Sequence, residues 1–187
     1  SWGKKVLSRL KLRGDEQVLD AGCGTGRLTA ELLEALPHGR VVGIDLSQNM
    51  LSTARAHLAQ EFGSRLRLLA CDLLHLPFKR VFHAVVSTSA FHWVLDHDQL
   101  FRNLHDVLLP GGCVEAQCGG GPNVARLRDR ANALASTPAF APYFDGFREP
   151  WLFEAAEDAA QRLRNAGFVD VETSLEAAPT VLDDAAH

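Results

Sequence analysis

Between Gln17 and Gln117 the chain alternates between two hydrophobic periodicities, and this alternation constrains the fold more than any other feature. Gln17 to Ala21, Arg40 to Ile44, Leu66 to Ala70, Phe82 to Ser87 and Cys113 to Gln117 are short apolar runs bounded by turn residues, the pattern of parallel strands buried on both faces. Between them, Leu28, Leu32 and Leu36 make one stripe, Leu51, Ala54, Leu58 and Phe62 a second, and Leu100, Leu104, Val107 and Leu108 a third, all at amphipathic-helix spacing. Ser47 caps the second of these helices, Asp96 with Gln99 starts the third as a capping box, and Pro110-Gly111-Gly112 is expected to stop it. Strand and helix in strict alternation predict a doubly wound, mostly parallel α/β sheet with right-handed crossovers, whose ligands sit at the carboxyl ends of the strands.

The pattern loosens after Gly119. GGGPN leads into an Arg-rich helix expected from Val124 to Ala135, then into TPAFAPYFDGFREP. Residues 119–150 read as a substrate-side insertion or lid within a single domain spanning 1–187. A helix from Phe153 to Asn165, ended by Gly167, and a strand from Val169 to Leu175 are expected beyond it. With 187 residues the chain can bury a sizeable core without metals or disulfides. Its net charge of -4 argues against a phosphate-binding surface, so nucleic acid is not expected as a partner. No apolar run approaches the roughly 20 residues of a membrane helix, and no signal peptide is visible. The four cysteines match no zinc spacing and read as reduced thiols. The expectation is a cytoplasmic protein, monomeric or homodimeric.

The first strand runs directly into VLDAGCGTGRL. A dinucleotide turn of the form G-x-G-x-x-G would need glycine at position 27, where this chain has Arg27. Gly22, Gly24 and Gly26 still let the backbone pass close to a ligand and aim the next helix's amides at an anion, a pyrophosphate or a carboxylate. A tight strand-to-helix turn is the plainer alternative. Three acids at three successive strand ends weigh against it. Asp20 can face an ammonium or a bridging water, Asp45 can accept from both hydroxyls of a ribose, and Asp72 can accept from an amino group of a base with Leu73 over the ring.

VLDAGCGTG, VVGIDLSQNM, ACDLLHLPF, VVSTSAFHWVLDH and LLPGG, in this order and spacing, resemble the class I S-adenosylmethionine-dependent methyltransferases from about Val6 to Leu175. The resemblance implies a Rossmann-like sheet and S-adenosylmethionine as cofactor. Gly22, Cys23, Gly24 and Gly26 would wrap its methionine end, Asp45 would hold the ribose, and Leu46 and Met50 would flank the adenine. Asp72 and Leu73 would bind the edge and face of the base, and Ser87 would lie beneath the sulfonium. FHWVLDH followed by a helix and LLPGG is most similar to the trans-aconitate methyltransferase type and its small-molecule relatives. The D/N-P-P-Y/F signature of amide and base N-methylation is replaced by Ser87-Thr88-Ser89-Ala90-Phe91, so that chemistry is not expected. The seventh, antiparallel strand of the family sheet is expected to be absent, as in a truncated form.

The resulting expectation is methyl transfer from S-adenosylmethionine to a small-molecule acceptor, a carboxylate or a hydroxyl. His92, after the fourth strand, is the candidate catalytic base, its ordinary pKa lying near neutrality, with a pocket wall as the alternative. One of Arg126, Arg128, Arg130 and Arg148 could clamp a second carboxylate, and Trp2 and Tyr143 could close over the ligands. His57, His97 and His105 have no carboxylate or thiol partner at ligand spacing, so no metal is expected. An NAD(P)-dependent oxidoreductase, disfavoured by Arg27, and a catalytically silent cofactor-binding module are the alternatives.

Overall fold

The computed structural model describes residues 2–179. The apolar runs form a five-stranded parallel sheet in the order β3-β2-β1-β4-β5, built from β1 (Gln17–Ala21), β2 (Arg40–Asp45), β3 (Leu66–Ala70), β4 (Phe82–Thr88) and β5 (Leu108–Gln117). Central β1 pairs with β2, Gln17 opposite Arg40, and with β4, Val18 opposite Ala84. The winding reverses between β1 and β4, and a reversal of this kind opens a crevice at the carboxyl ends of the strands.

The described residues form six helices, α1 (Trp2–Arg9), α2 (Arg27–Ala35), α3 (Gln48–Phe62), α4 (His97–Val107), α5 (Ala125–Ala135) and α6 (Ala156–Asn165), of which all but α5 contribute buried side chains. Successive strand residues point to opposite faces, which divides the core in two. Val18, Val41 and Val86 pack with Leu28, Leu32, Leu36 and Leu58 on one side, while Leu19, Ile44 and Val85 pack with Leu100, Leu104 and Val107 on the other. All three helical stripes are buried, each large side chain contributing about 1.5–3 kcal/mol relative to exposure. Both N-caps form, Ser47 Oγ accepting from Met50 N–H at 3.3 Å and Asp96 Oδ1 from Gln99 N–H at 2.8 Å, but the Gln99 side chain donates to Asn103 Oδ1, so the expected capping box has one arm only.

Several expectations need correction. Pro110-Gly111-Gly112 does not simply end α4. The helix stops at Val107, Leu108 already pairs with Phe82, and the next paired residue is Cys113 against Ala84. The intervening residues are accommodated as an irregularity within β5, whose expected start at Cys113 moves to Leu108. Val169 to Leu175 forms no strand, and Val169 is 83% exposed. Alternating side chains are not enough where no neighbouring strand supplies a ladder. The last helix starts at Ala156 and not Phe153, and Trp2–Arg9 is a helix that the sequence pattern did not signal. Residues 180–187, on which the expectation of an absent closing strand partly falls, lie outside the described residues. Among the described residues no helix is long and apolar enough to cross a membrane.

Candidate active site

The glycine turn is fixed from below and open above. Gly22 and Cys23 N–H both donate to Ile44 C=O at 2.9 Å, and Gly26 N–H closes the turn onto Cys23 C=O at 2.9 Å. Gly22 has φ +82, and a Cβ there would overlap the Ala90 methyl, so the turn packs directly on the chain after β4. Gly24 has φ +54 and would meet nothing within 4 Å, which leaves free space on the ligand side of its backbone. Only glycine takes such φ values without strain.

Asp45, at the end of β2, is held against this turn. Its Oδ2 accepts from Gly24 N–H at 2.9 Å and its Oδ1 from Ser47 N–H at 2.8 Å. An ionised carboxylate has about four acceptor positions, so each oxygen retains capacity for a ligand hydroxyl. Asp20, one strand over, is 1% exposed. Its Oδ2 accepts from the Thr29 hydroxyl of α2 at 2.6 Å, while Oδ1 is buried without a partner among the described residues. Burial, opposed by the Thr29 hydrogen bond and reinforced by the Asp45 charge, pushes the Asp20 carboxyl up to about 7. A buried acceptor without a partner is costly, and a ligand cation or a water is what would satisfy it.

The other expected cofactor residues divide into exposed and buried sets. Leu46 and Met50 stand beside Asp45 with 73% and 46% of their surface exposed, an apolar rim that a flat base could cover. Asp72 uses Oδ1 to accept from Leu74 N–H at 2.9 Å and has Oδ2 beside His75 Nδ1, so part of its role is to shape the turn after β3. Leu73 is buried in the core against the α4 side of the sheet. Ser87 is wholly buried and donates to Ala21 C=O at 2.6 Å, which ties the ends of β4 and β1 together across the crevice. Cys23 is buried, and burial with the nearby Asp20 and Asp45 charges raises its pKa, so it remains a thiol packed over Gly43.

His92 lies in a short 3-10 turn after β4, Phe91–Trp93. Its Nδ1 accepts from Gly119 N–H at 3.2 Å, which puts the proton of the neutral ring on Nε2. Burial, and secondarily the nearby His97, lowers its pKa. Rings surround it: Trp93 at 5.1 Å and Phe153 at 5.6 Å between centroids, with Trp151 stacked on Phe153 at 6.0 Å. Arg128 is already engaged, forming a two-point ion pair with Glu149 and lying over the Phe153 ring, whereas Arg126, Arg130 and Arg148 are exposed. Tyr143 is 83% exposed, and Trp2 lines a cavity beside the glycine turn.

Sequence spacing missed one buried network. His97, expected to lack a carboxylate partner, has Nδ1 2.6 Å from Glu154 Oε2 and Nε2 3.0 Å from Phe91 C=O. Each ring nitrogen therefore faces an oxygen. Glu154 also pairs with Arg162 Nε at 2.5 Å, and Arg162 pairs with Asp98. Leu152 N–H donates to His92 C=O at 2.8 Å, so residues 151–154 are fastened to the site. No local signal could have revealed a pair 57 residues apart. Among the described residues no group of three or more His, Cys, Asp or Glu could hold a metal.

Residues 18–112 match the methyltransferase-domain family. The chain belongs to the class I S-adenosylmethionine-dependent methyltransferases. It is 30% identical to the demethylmenaquinone methyltransferase of Lactococcus lactis subsp. lactis, over 91% of this chain and 73% of that protein. It is 33% identical to the trans-aconitate 2-methyltransferase of Azoarcus sp. strain BH72, over 76% of this chain and 59% of that enzyme. The fold is shared with phosphoethanolamine N-methyltransferase 2 of Haemonchus contortus in complex with S-adenosyl-L-methionine, at a TM-score of 0.72 and 24% identity over 91% of this chain and 37% of that one. Within this methyltransferase fold, Asp20 and the glycine turn lie at the end of β1 beside the switch to β4, and Asp45 ends β2 on the other side of β1.

Proposed function

We propose that this methyltransferase, one domain over residues 1–187, transfers the methyl group of S-adenosylmethionine to a small-molecule acceptor, through a hydroxyl or a carboxylate oxygen. The observation that carries the reading is the Asp45 carboxylate, braced by Gly24 and Ser47 N–H with acceptor capacity left on both oxygens. A pair of neighbouring ribose hydroxyls is the complementary donor set. The residues fit the rest of the cofactor as well: the open space at Gly24 admits its backbone-hugging portion, the unpartnered Asp20 Oδ1 suits its ammonium directly or through water, and Leu46 and Met50 can cover the base. Asp72 and Leu73 are proposed for the edge and face of that base, Gly22, Cys23 and Gly26 for the wrap of the turn, and Ser87 for the floor.

When bound, the cofactor supplies a methyl group on a cationic sulfonium, open to in-line displacement. The protein's part is alignment and exclusion of water. His92 is the candidate catalytic residue. Its lone pair at Nδ1 is spent on Gly119, so a base role requires that contact to open first, while Nε2–H can hold an acceptor oxygen in line as it stands. Residues 119–150 would close the acceptor side. The relatives named for demethylmenaquinone and trans-aconitate methylation support a small-molecule acceptor. With Arg128 committed to Glu149, a carboxylate clamp would have to come from an exposed arginine. Calorimetry with S-adenosylhomocysteine tests the reading: Asp45→Ala should weaken binding at least about tenfold, a loss of roughly 1.4 kcal/mol. A folded wild-type protein that shows no binding heat would sink it.

A further inference from the structure

Residues 119–150 leave the fold and return to it at one place, and that place is His92. Gly121 N–H donates to Glu154 C=O at 2.7 Å, so the outgoing and returning chains are tied to each other. Each of them also holds His92: Gly119 N–H donates to its Nδ1 at 3.2 Å, and Leu152 N–H to its C=O at 2.8 Å. The two chains pack closely, since a Cβ on Gly119 would stand 2.7 Å from the Phe153 ring and one on Gly120 3.0 Å from Glu154 C=O. The Glu154 side chain adds a further tie. Its Oε2 lies 2.6 Å from His97 Nδ1, and His97 Nε2 lies 3.0 Å from the carbonyl of Phe91, the residue before His92. His97 and Glu154 keep only 4% and 8% of their side chains exposed, so parting them would leave polar groups buried without partners.

We propose that Glu154 is a positioning residue: through His97 it latches the returning chain to the turn after β4, and so keeps Gly119 N–H on His92 Nδ1. The assignment rests on the reading of His92 as the catalytic residue and says which of its two roles that residue takes. With the latch closed, the Nδ1 lone pair is engaged and the neutral ring presents Nε2–H, a donor that orients an acceptor oxygen. With the latch open, Gly119 is free to leave and Nδ1 regains the lone pair that a base needs. Arg162 holds Glu154 by its other oxygen, its Nε 2.5 Å from Oε1, and also pairs with Asp98. No hydrogen bond joins Arg162 to residues 91–93 among the described residues, so it supports Glu154 without belonging to the path that reaches His92.

The test follows the ring nitrogens of His92 in the full chain by long-range proton–nitrogen NMR at about pH 8, above the ordinary histidine range. The wild-type protein should show Nε2–H as the dominant tautomer and a Gly119 amide protected from exchange. Glu154→Ala should shift the tautomer ratio, and speed Gly119 exchange, at least about threefold, the size of change that one hydrogen bond of ordinary net strength produces. His97→Phe keeps a ring against Phe101 and should do the same, which carries the test if Glu154→Ala does not fold. Glu154→Gln, whose amide oxygen can still face His97 Nδ1, should keep both wild-type signatures while lowering stability, and so should Arg162→Ala. A wild-type ring protonated at Nδ1 overturns the proposal, as does a Glu154→Ala protein that loses stability with His92 and Gly119 unchanged. It is also overturned if Arg162→Ala shifts His92 as far as Glu154→Ala does, for the network would then be structural only. A wild-type protein with the expected His92 signature that binds no S-adenosylhomocysteine sinks the methyltransferase reading separately.

Discussion

Around Asp45 the polar groups of the chain are committed in pairs: Gly22 and Cys23 N–H to Ile44, Gly24 and Ser47 N–H to Asp45, the Ser87 hydroxyl to Ala21, the Thr29 hydroxyl to Asp20. Between Gly119 and Pro150 the picture inverts. Helix α5 buries no residue, and Leu127, Leu134, Phe140, Phe144 and Phe147 stand exposed. The cofactor side is held by the sheet itself, which every member of a fold of this kind must form. The segment proposed to close the acceptor side is held at its return, by Leu152 on His92 and by Glu154 between His97 and Arg162. Chemistry shared across a family can be built into the rigid part, while the choice of acceptor is left to a segment that can change at little cost to stability.

The largest effect expected from testing this contrast is at Glu154. Glu154→Ala removes the buried partner of His97 and one partner of Arg162, and should cost about 1–3 kcal/mol in urea unfolding, the range for leaving a buried polar group without its partner. If the loss is no larger than for an exposed residue, the acceptor segment is not anchored where the structure anchors it. The second effect is in the pH dependence of the cofactor side. Folded Asp20 keeps its proton up to about 7, whereas in the unfolded chain it ionises near 3.8. Between those values the folded state binds more protons, so this group makes stability fall as pH rises, by up to about 1.4 kcal/mol per pH unit, and level off above about 7. Asp20→Asn should remove that component, measured as the wild-type minus variant difference in thermal unfolding across the range. The smallest effect belongs to Leu127→Ala, expected to change stability by less than about 0.5 kcal/mol because the side chain already faces solvent.

Legibility in the sequence followed the same division. The three central strands could be read because each is buried, and burial on both faces writes a continuous apolar run; β3 and β5, at the sheet edges, are only partly buried and were read from their apolar residues and bounding turns; the three helical stripes could be read because each packs on that sheet. Val169 to Leu175 carried the same local signature without a neighbour to pair with, and pairing is a property of two segments. The turn after β4 is similar. FHW was visible as a site motif, but the tautomer of His92 depends on Gly119, and the carboxylate partner of His97 arrives from Glu154. Asp20 and Asp45 were legible by position alone, as acids at strand ends. That Asp20 would be buried with one oxygen unpartnered, and that Glu31 would share this condition in a different cavity, depends on how α2 packs, which no spacing records.

The hydrogen bond from Ser87 to Ala21 has a kinetic side. It joins residues 66 positions apart, so the loop closed when β1 meets β4 contains β2, β3 and their crossovers. Non-local parallel pairing is slow relative to helix formation, because the entropy of closing a long loop is spent before its contacts form. Gly22 acquires its neighbour Ala90 in that same late event. In a refolding experiment, helical signal should therefore return well before the ability to bind S-adenosylhomocysteine, and the binding turn takes its final shape among the last parts of the molecule.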